Sequence, residues 1–397
     1  MDRVTLLVAV LVFQFALTSR AFSQPMTFQE ISMLLRNGEK ADYVEGEAGR
    51  RKLQQALTPA QETTLTSLGA TPALLNMLRA AASGASAGNT TNQSPAAAGA
   101  NTPAGTPPSS APVPASSLGS LSAARKEFAT KLVKKVAMNQ PVPTPPSEKF
   151  QIVTYHSPAG ELSAYLSTST PDGKRYPAII WIAGLPGNGI GPVAWEPAPV
   201  ENDQSASIFA KEGIITMFPS LRGGNTNPGY IENFYGEVDD VIAAAEFLSQ
   251  QPNVDPHRIY LGGHSPGGTL VLLVAECSDR FRSVFAFGPV ANAAVYGLDH
   301  MIFDTSNRKE IELRAPVLWL QCIRTPTFVF EGATKSNIAE LNTMQARSTN
   351  PQVHFLPIGG ATHYSVLAPL SKVVAEKILK DRDANSNITF PVGEKIE

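Results

Sequence analysis

From residue 149 to its C-terminus the chain predicts an α/β fold, a mostly parallel sheet with helices on both faces. Three observations carry that expectation. Short apolar strand-like runs alternate with stretches of helical periodicity. One serine lies between glycines where such a run passes into an apolar helix, and a histidine stands in the loop after the last strand-like run.

The elements follow in order. Gln151 to Tyr155 and Leu162 to Leu166 are strand-like and meet around Pro158-Ala159-Gly160, a hairpin signal. Tyr176 to Ile182 is a strongly apolar strand ending at Ala183-Gly184, and Ile214 to Phe218 is another, closed by Pro219. Val238, Val241, Ile242, Ala245 and Leu248 share one helical face. Asp255-Pro256 marks a turn into the strand Arg258 to Gly262, followed by a helix from Gly268 to Glu276. Ser283 to Phe287, Thr327 to Phe330 and Val353 to Leu356 supply three more strands, and Val366 to Leu379 a final helix. Such apolar strands belong to a sheet covered on both sides.

The front of the chain differs in texture. Residues 1–23 have the parts of an export signal: Asp2 and Arg3, the apolar run Leu6 to Ala16, and small residues in Ala21-Phe22-Ser23 before Gln24. The run is too short to span a bilayer comfortably, so the expectation is an exported protein, periplasmic or secreted, without stable membrane insertion. Residues 24–82 read as a small helical module. Thr27-x-x-Glu30 resembles a capping box, and Thr58-Pro59 and Thr71-Pro72 each put a cap residue before a proline at the first helical position. Residues 83–119 hold almost no bulky side chain and predict a flexible tether, because nothing there repays the entropy of ordering. Residues 120–148 predict a helix from about Ala123 to Ala137 and a stiffer proline-rich lead-in to a domain spanning 149–397.

Charge and cysteine content exclude several classes. With 32 Lys and Arg against 34 Asp and Glu, the net charge of −2 offers no electrostatic footprint for nucleic acid. Two cysteines, Cys277 and Cys322, make neither a disulfide scaffold nor a metal site, although export would permit a bridge between them. No H-E-x-x-H spacing occurs. Gly184-Leu185-Pro186-Gly187-Asn188-Gly189 does not fit a phosphate-binding fingerprint, so neither cofactor nor metal is expected.

The chemistry concentrates at Gly263-His264-Ser265-Pro266-Gly267-Gly268. A G-x-S-x-G between strand and helix is a nucleophile elbow: the glycines make room for a sharp turn that lifts the serine hydroxyl to the helix N-terminus. His363, in the loop Gly359 to His363 after the last strand, has the right order along the chain to serve Ser265 as base.

These pieces resemble the prolyl oligopeptidase-like branch of the α/β-hydrolases, with its dienelactone hydrolase and acyl-peptide hydrolase relatives, over about residues 149–380. Ile179 to Gly184, Phe218-Pro219-Ser220-Leu221-Arg222-Gly223 and Arg324 to Gly332 carry the resemblance together with the elbow. It implies an α/β-hydrolase fold and hydrolysis of an ester or peptide through Ser265 and His363. It also implies an oxyanion-stabilising backbone N–H at Leu185. Three positions depart from the pattern. Pro266 has no N–H to give to the oxyanion; Lys335 stands where relatives carry the acid; and Ala183 replaces a usual histidine. Glu331, at the end of the preceding strand, is the leading candidate acid, with Asn292 and the more distant Asp299 as alternatives. The expected activity is therefore that of a serine hydrolase weakened at its oxyanion and acid positions. A small ester or short peptide is the expected substrate, and the segment Asn292 to Thr325 a partial lid. The competing expectation is a non-catalytic binding protein on the same scaffold, with the N-terminal helices engaging a protein partner.

Overall fold

The computed structural model describes residues 26, 28, 31, 35, 41–53, 56–67, 69–83, 119–168, 172–184, 187–297 and 301–391. The chain divides into two compact units, Met1–Val113 and Pro114–Glu397. In the first, α1 (Ala41–Arg51), α2 (Pro59–Ser67) and α3 (Pro72–Ser83) pack around Val44, Leu65, Leu74 and Leu78, all buried. Two caps form where Thr-Pro pairs predict them. Thr58 Oγ1 accepts the Gln61 N–H at 3.3 Å while Gln61 Oε1 accepts the Thr58 N–H at 2.9 Å, and Thr71 Oγ1 accepts the Leu74 N–H at 3.1 Å. Thr27, Glu30 and the expected export signal lie outside the described residues. Among the described residues no helix is long and apolar enough to cross a membrane.

The second unit begins with α4 (Leu121–Lys126), capped by Ser120 Oγ on the Ala123 N–H. Here the expected helix to Ala137 is corrected: it stops after six residues. Beyond it the backbone is extended, because a stronger pairing is on offer. Glu310, fully buried, takes Thr130 Oγ1 at 2.8 Å and the Lys131 N–H at 2.7 Å, and Leu132 bridges Phe303 in antiparallel fashion. Tertiary hydrogen bonds to a desolvated carboxylate outweigh helix propensity over so short a stretch.

Next come β1 (Phe150–Ser157), β2 (Gly160–Ser167), β3 (Tyr176–Ile182), α5 (Ser207–Lys211), β4 (Ile215–Pro219), α6 (Glu237–Ser249) and β5 (Val254–His264). Then follow α7 (Pro266–Cys277), β6 (Val284–Phe287), α8 (Arg308–Glu312), β7 (Thr327–Gly332), α9 (Ile338–Arg347), β8 (Val353–Ile358) and α10 (Leu367–Lys380). They form one eight-stranded sheet in the order β1-β2-β4-β3-β5-β6-β7-β8, with β1 and β2 antiparallel to their neighbours and the other pairings parallel. This is the mostly parallel α/β-hydrolase architecture the sequence predicts. The turn expected at Asp255-Pro256 is instead absorbed into β5, as an irregularity where Tyr176 pairs with Val254 but Ala178 with Ile259.

Strand alternation decides which helix covers which face. Ile180, Ile182, Leu261 and Val329 join a core with Val241 of α6 and Val271 of α7. Their neighbours Ile179, Trp181, Tyr260 and Phe330 join a second core with Phe209 of α5 and Leu370 and Val374 of α10. The segment expected as a partial lid is a further correction. Leu313, Trp319, Leu320 and Ile323 belong to the first core, and Arg314 and Glu310 form a fully buried ion pair at 2.6 Å. A desolvated pair and four core side chains pack the part of this segment from Glu310 to Ile323 into the core. Cys277 and Cys322 are both free, and burial pushes the Cys277 thiol up to about 12.

Candidate active site

Ser265 sits between β5 and α7 with φ 57° and ψ −116°, a conformation that non-glycine residues rarely adopt. The turn is held from both sides: the Ser265 N–H donates to the Phe287 carbonyl at 2.7 Å, and the Ser265 carbonyl accepts the Thr269 N–H at 3.0 Å. Gly267 is required by crowding, since a Cβ there would run into the Ile182 carbonyl at the end of β3. The elbow is thus wedged between β3 and β6, which is what the glycine spacing demands.

His363 follows β8 and is fully buried. Its loop is fixed by reciprocal bonds at the start of α10: Ser365 Oγ accepts the Thr362 N–H at 2.9 Å, and Thr362 Oγ1 accepts the Ser365 N–H at 3.1 Å. Glu331 stands at the end of β7, also fully buried, with Oε2 3.0 Å from His363 Nδ1. Its remaining acceptor capacity is met by the Gly332 N–H on Oε1 at 2.8 Å and the Asn337 N–H on Oε2 at 3.2 Å. A carboxylate only accepts, so Nδ1 carries a proton and, in the neutral ring, Nε2 keeps its lone pair. Among the described residues neither His363 Nε2 nor Ser265 Oγ has a hydrogen-bond partner, and both atoms are buried.

The other sequence candidates are placed differently. Asn292 Oδ1 accepts the Ala294 N–H at 2.9 Å and caps its own short turn. The Lys335 carbonyl lies 3.5 Å from the His363 N–H. Leu185 and Asp299 lie outside the described residues. Pro266 occupies the first turn of α7, where a proline costs the helix nothing but offers no N–H.

Two neighbours have no local signature that marks them as site residues. Gly288, with φ 59°, follows β6, and a Cβ there would come within 2.7 Å of His363 Nδ1 and 3.1 Å of Glu331 Oε2. Only glycine leaves room for the pair, and the Gly288-Pro289 dipeptide after a strand is the one hint in the sequence. His264, immediately before the serine, is buried, and its Nε2 lies 3.1 Å from the His363 carbonyl. Burial, and then the proximity of His363, hold its pKa well below the usual histidine range.

Residues 201–347 match the prolyl oligopeptidase family, a span that contains Ser265 and Glu331 but stops short of His363. A Bacillus subtilis (strain 168) protein described as "Uncharacterized peptidase YtmA" is 26% identical over 159 residues, 37% of this chain and 62% of that protein. The chain therefore matches less than two thirds of that relative's length. Among solved structures, the Pyrococcus horikoshii acylaminoacyl peptidase overlaps with a TM-score of 0.45 at 14% identity, over 59% of this chain and 41% of that one. A hyperthermophilic esterase from Pyrobaculum calidifontis overlaps with a TM-score of 0.43 at 15% identity, over 59% and 86%.

Proposed function

We propose that this chain, whose sequence and fold match the prolyl oligopeptidase-like branch of the α/β-hydrolases, is a serine hydrolase cleaving a small ester or short peptide. The observation that carries the reading is the buried Glu331–His363 hydrogen bond at 3.0 Å, which leaves Nε2 with its lone pair. Ser265 Oγ attacks the scissile carbonyl and His363 Nε2 takes its proton. Glu331 holds the tautomer and stabilises the imidazolium. The proton then passes to the leaving group, and water releases the acyl chain by the same route.

Oxyanion stabilisation is the weak part of this site. Pro266 withholds one donor and leaves the Leu185 N–H as the other; one such donor is worth about 2.7–4 kcal/mol. The same proline favours the second reading, a binding protein on a hydrolase scaffold. On either reading, residues 1–23 would direct export and be cleaved before Gln24; on the second, the 24–82 module would engage a protein partner. The deciding experiment treats the purified chain with a fluorophosphonate probe beside a Ser265→Ala control. Labelling that disappears in the control supports the hydrolase; absence of labelling in folded protein moves the assignment to the scaffold.

A further inference from the structure

His264 touches the site from beneath. Its ring centroid lies 4.6 Å from that of His363 and 5.6 Å from that of Tyr364, while His363 and Tyr364 are themselves 5.1 Å apart, so three rings pack together under the elbow. The contact at Nε2 is to a backbone carbonyl, which can only accept; Nε2 therefore carries the proton. That leaves Nδ1 as a bare lone pair, buried and without a partner among the described residues. On this side of the ring lies the turn after β3: a Cβ on Gly184 would come within 2.6 Å of Nδ1. One side chain thus lies against the base-bearing loop and against the turn on the oxyanion side. It is chained by one peptide bond to Ser265.

We propose that His264 is a positioning residue, whose Nε2–H ties the His363 backbone to the strand that leads into Ser265. The loop carrying the base leaves β8, three places along the sheet from β5, and is connected to the elbow by no strand pairing of its own. The bond at 3.1 Å spans that gap directly. Without it, the His363 ring keeps its bond to Glu331 at Nδ1 and its loop keeps the Thr362–Ser365 bonds, but the direct link from the His363 backbone to the strand that leads into Ser265 is lost. Loss of alignment is costly because proton transfer depends steeply on the geometry of donor and acceptor. The ring must also stay neutral for this role, because a second charge 4.6 Å from the His363 ring would oppose formation of the imidazolium.

This inference rests on the hydrolase reading, and its test separates the two. Glutamine places an amide N–H where imidazole has Nε2, asparagine places one where it has Nδ1, and phenylalanine keeps the ring without either. In fluorophosphonate labelling, His264→Phe and His264→Asn are expected to react about tenfold more slowly than wild type, and His264→Gln to recover most of the rate. Circular dichroism checks that each variant folds. Equal rates in all three would overturn the proposal, as would rescue by asparagine and not glutamine. A second arm needs no activity: 15N-histidine NMR of the full chain should show His264 as the Nε2–H tautomer, with His363 ring signals shifted in His264→Phe. An Nδ1–H tautomer at His264, or unmoved His363 signals, would overturn it too. Failure of wild type to label, with the NMR result as expected, would sink the hydrolase reading and leave the positioning bond standing.

Discussion

Glu331 reaches His363 from the end of β7, four residues ahead of the position where the family pattern puts the acid. The hydrogen bond is direct, and three N–H groups in all converge on the carboxylate. Replacement by glutamine keeps the shape and removes the charge. Glu331→Gln is expected to slow fluorophosphonate labelling by about 10²–10⁴-fold with the fold retained. An unchanged rate would show that another group orients His363.

Pro266→Ala restores a backbone N–H at the residue after Ser265. If Pro266 is what weakens the site, acyl transfer should rise, by up to about 10²-fold in kcat for an activated ester. Burst kinetics with nitrophenyl acetate would measure it. A fall in rate would mean that the proline contributes more by holding the elbow than it withholds at the oxyanion.

Gly288→Ala tests the packing under the pair. The added methyl must displace the imidazole or the carboxylate, at a backbone angle that already disfavours alanine. The expected result is loss of labelling together with a lowered midpoint in urea denaturation; wild-type behaviour in both would show that the pair has room to shift.

Stability should vary with pH in two opposed directions. Burial of His264 lowers its folded pKa below the ordinary 6.5, so the unfolded chain binds the proton more readily. Its contribution is intact above 6.5 and is lost as pH falls toward the lowered value, with a slope of up to about 1.4 kcal/mol per pH unit. Glu276 behaves oppositely. Its carboxyl is buried in α7, without a hydrogen-bond partner for either oxygen among the described residues, and burial raises its pKa well above 4.5. Stability is then fully present below 4.5 and declines as pH rises through the raised value. Glu276→Gln should accordingly stabilise the chain at pH 7 by about 1–3 kcal/mol and much less at pH 4. Urea denaturation at both pH values checks this, and an equal effect at both would refute the assignment.

The fold was legible because its signals are local. Apolar runs, a hairpin glycine and the elbow spacing each act over a few residues, and the sheet assembles from them. The region after Lys126 was not legible, because Glu310, some 180 residues away, binds Thr130 and Lys131 just beyond the helix. The Glu331–His363 pairing depends on β7 lying beside β8 with Glu331 opposite Pro357, a register that no motif spacing encodes. His264 is the hardest case. Its neighbour in the elbow motif explains its place in the chain, but its bond to the His363 carbonyl exists only once strands β5 to β8 are laid side by side.

One feature of β8 bears on how the protein avoids sticking to itself. This strand closes the sheet on one side and so offers its outer rim as a template for a foreign strand. Pro357, near its end, has no N–H to contribute to such a ladder. A continuous intermolecular sheet growing along that rim is therefore interrupted at Pro357, one residue before the strand gives way to the loop that carries His363.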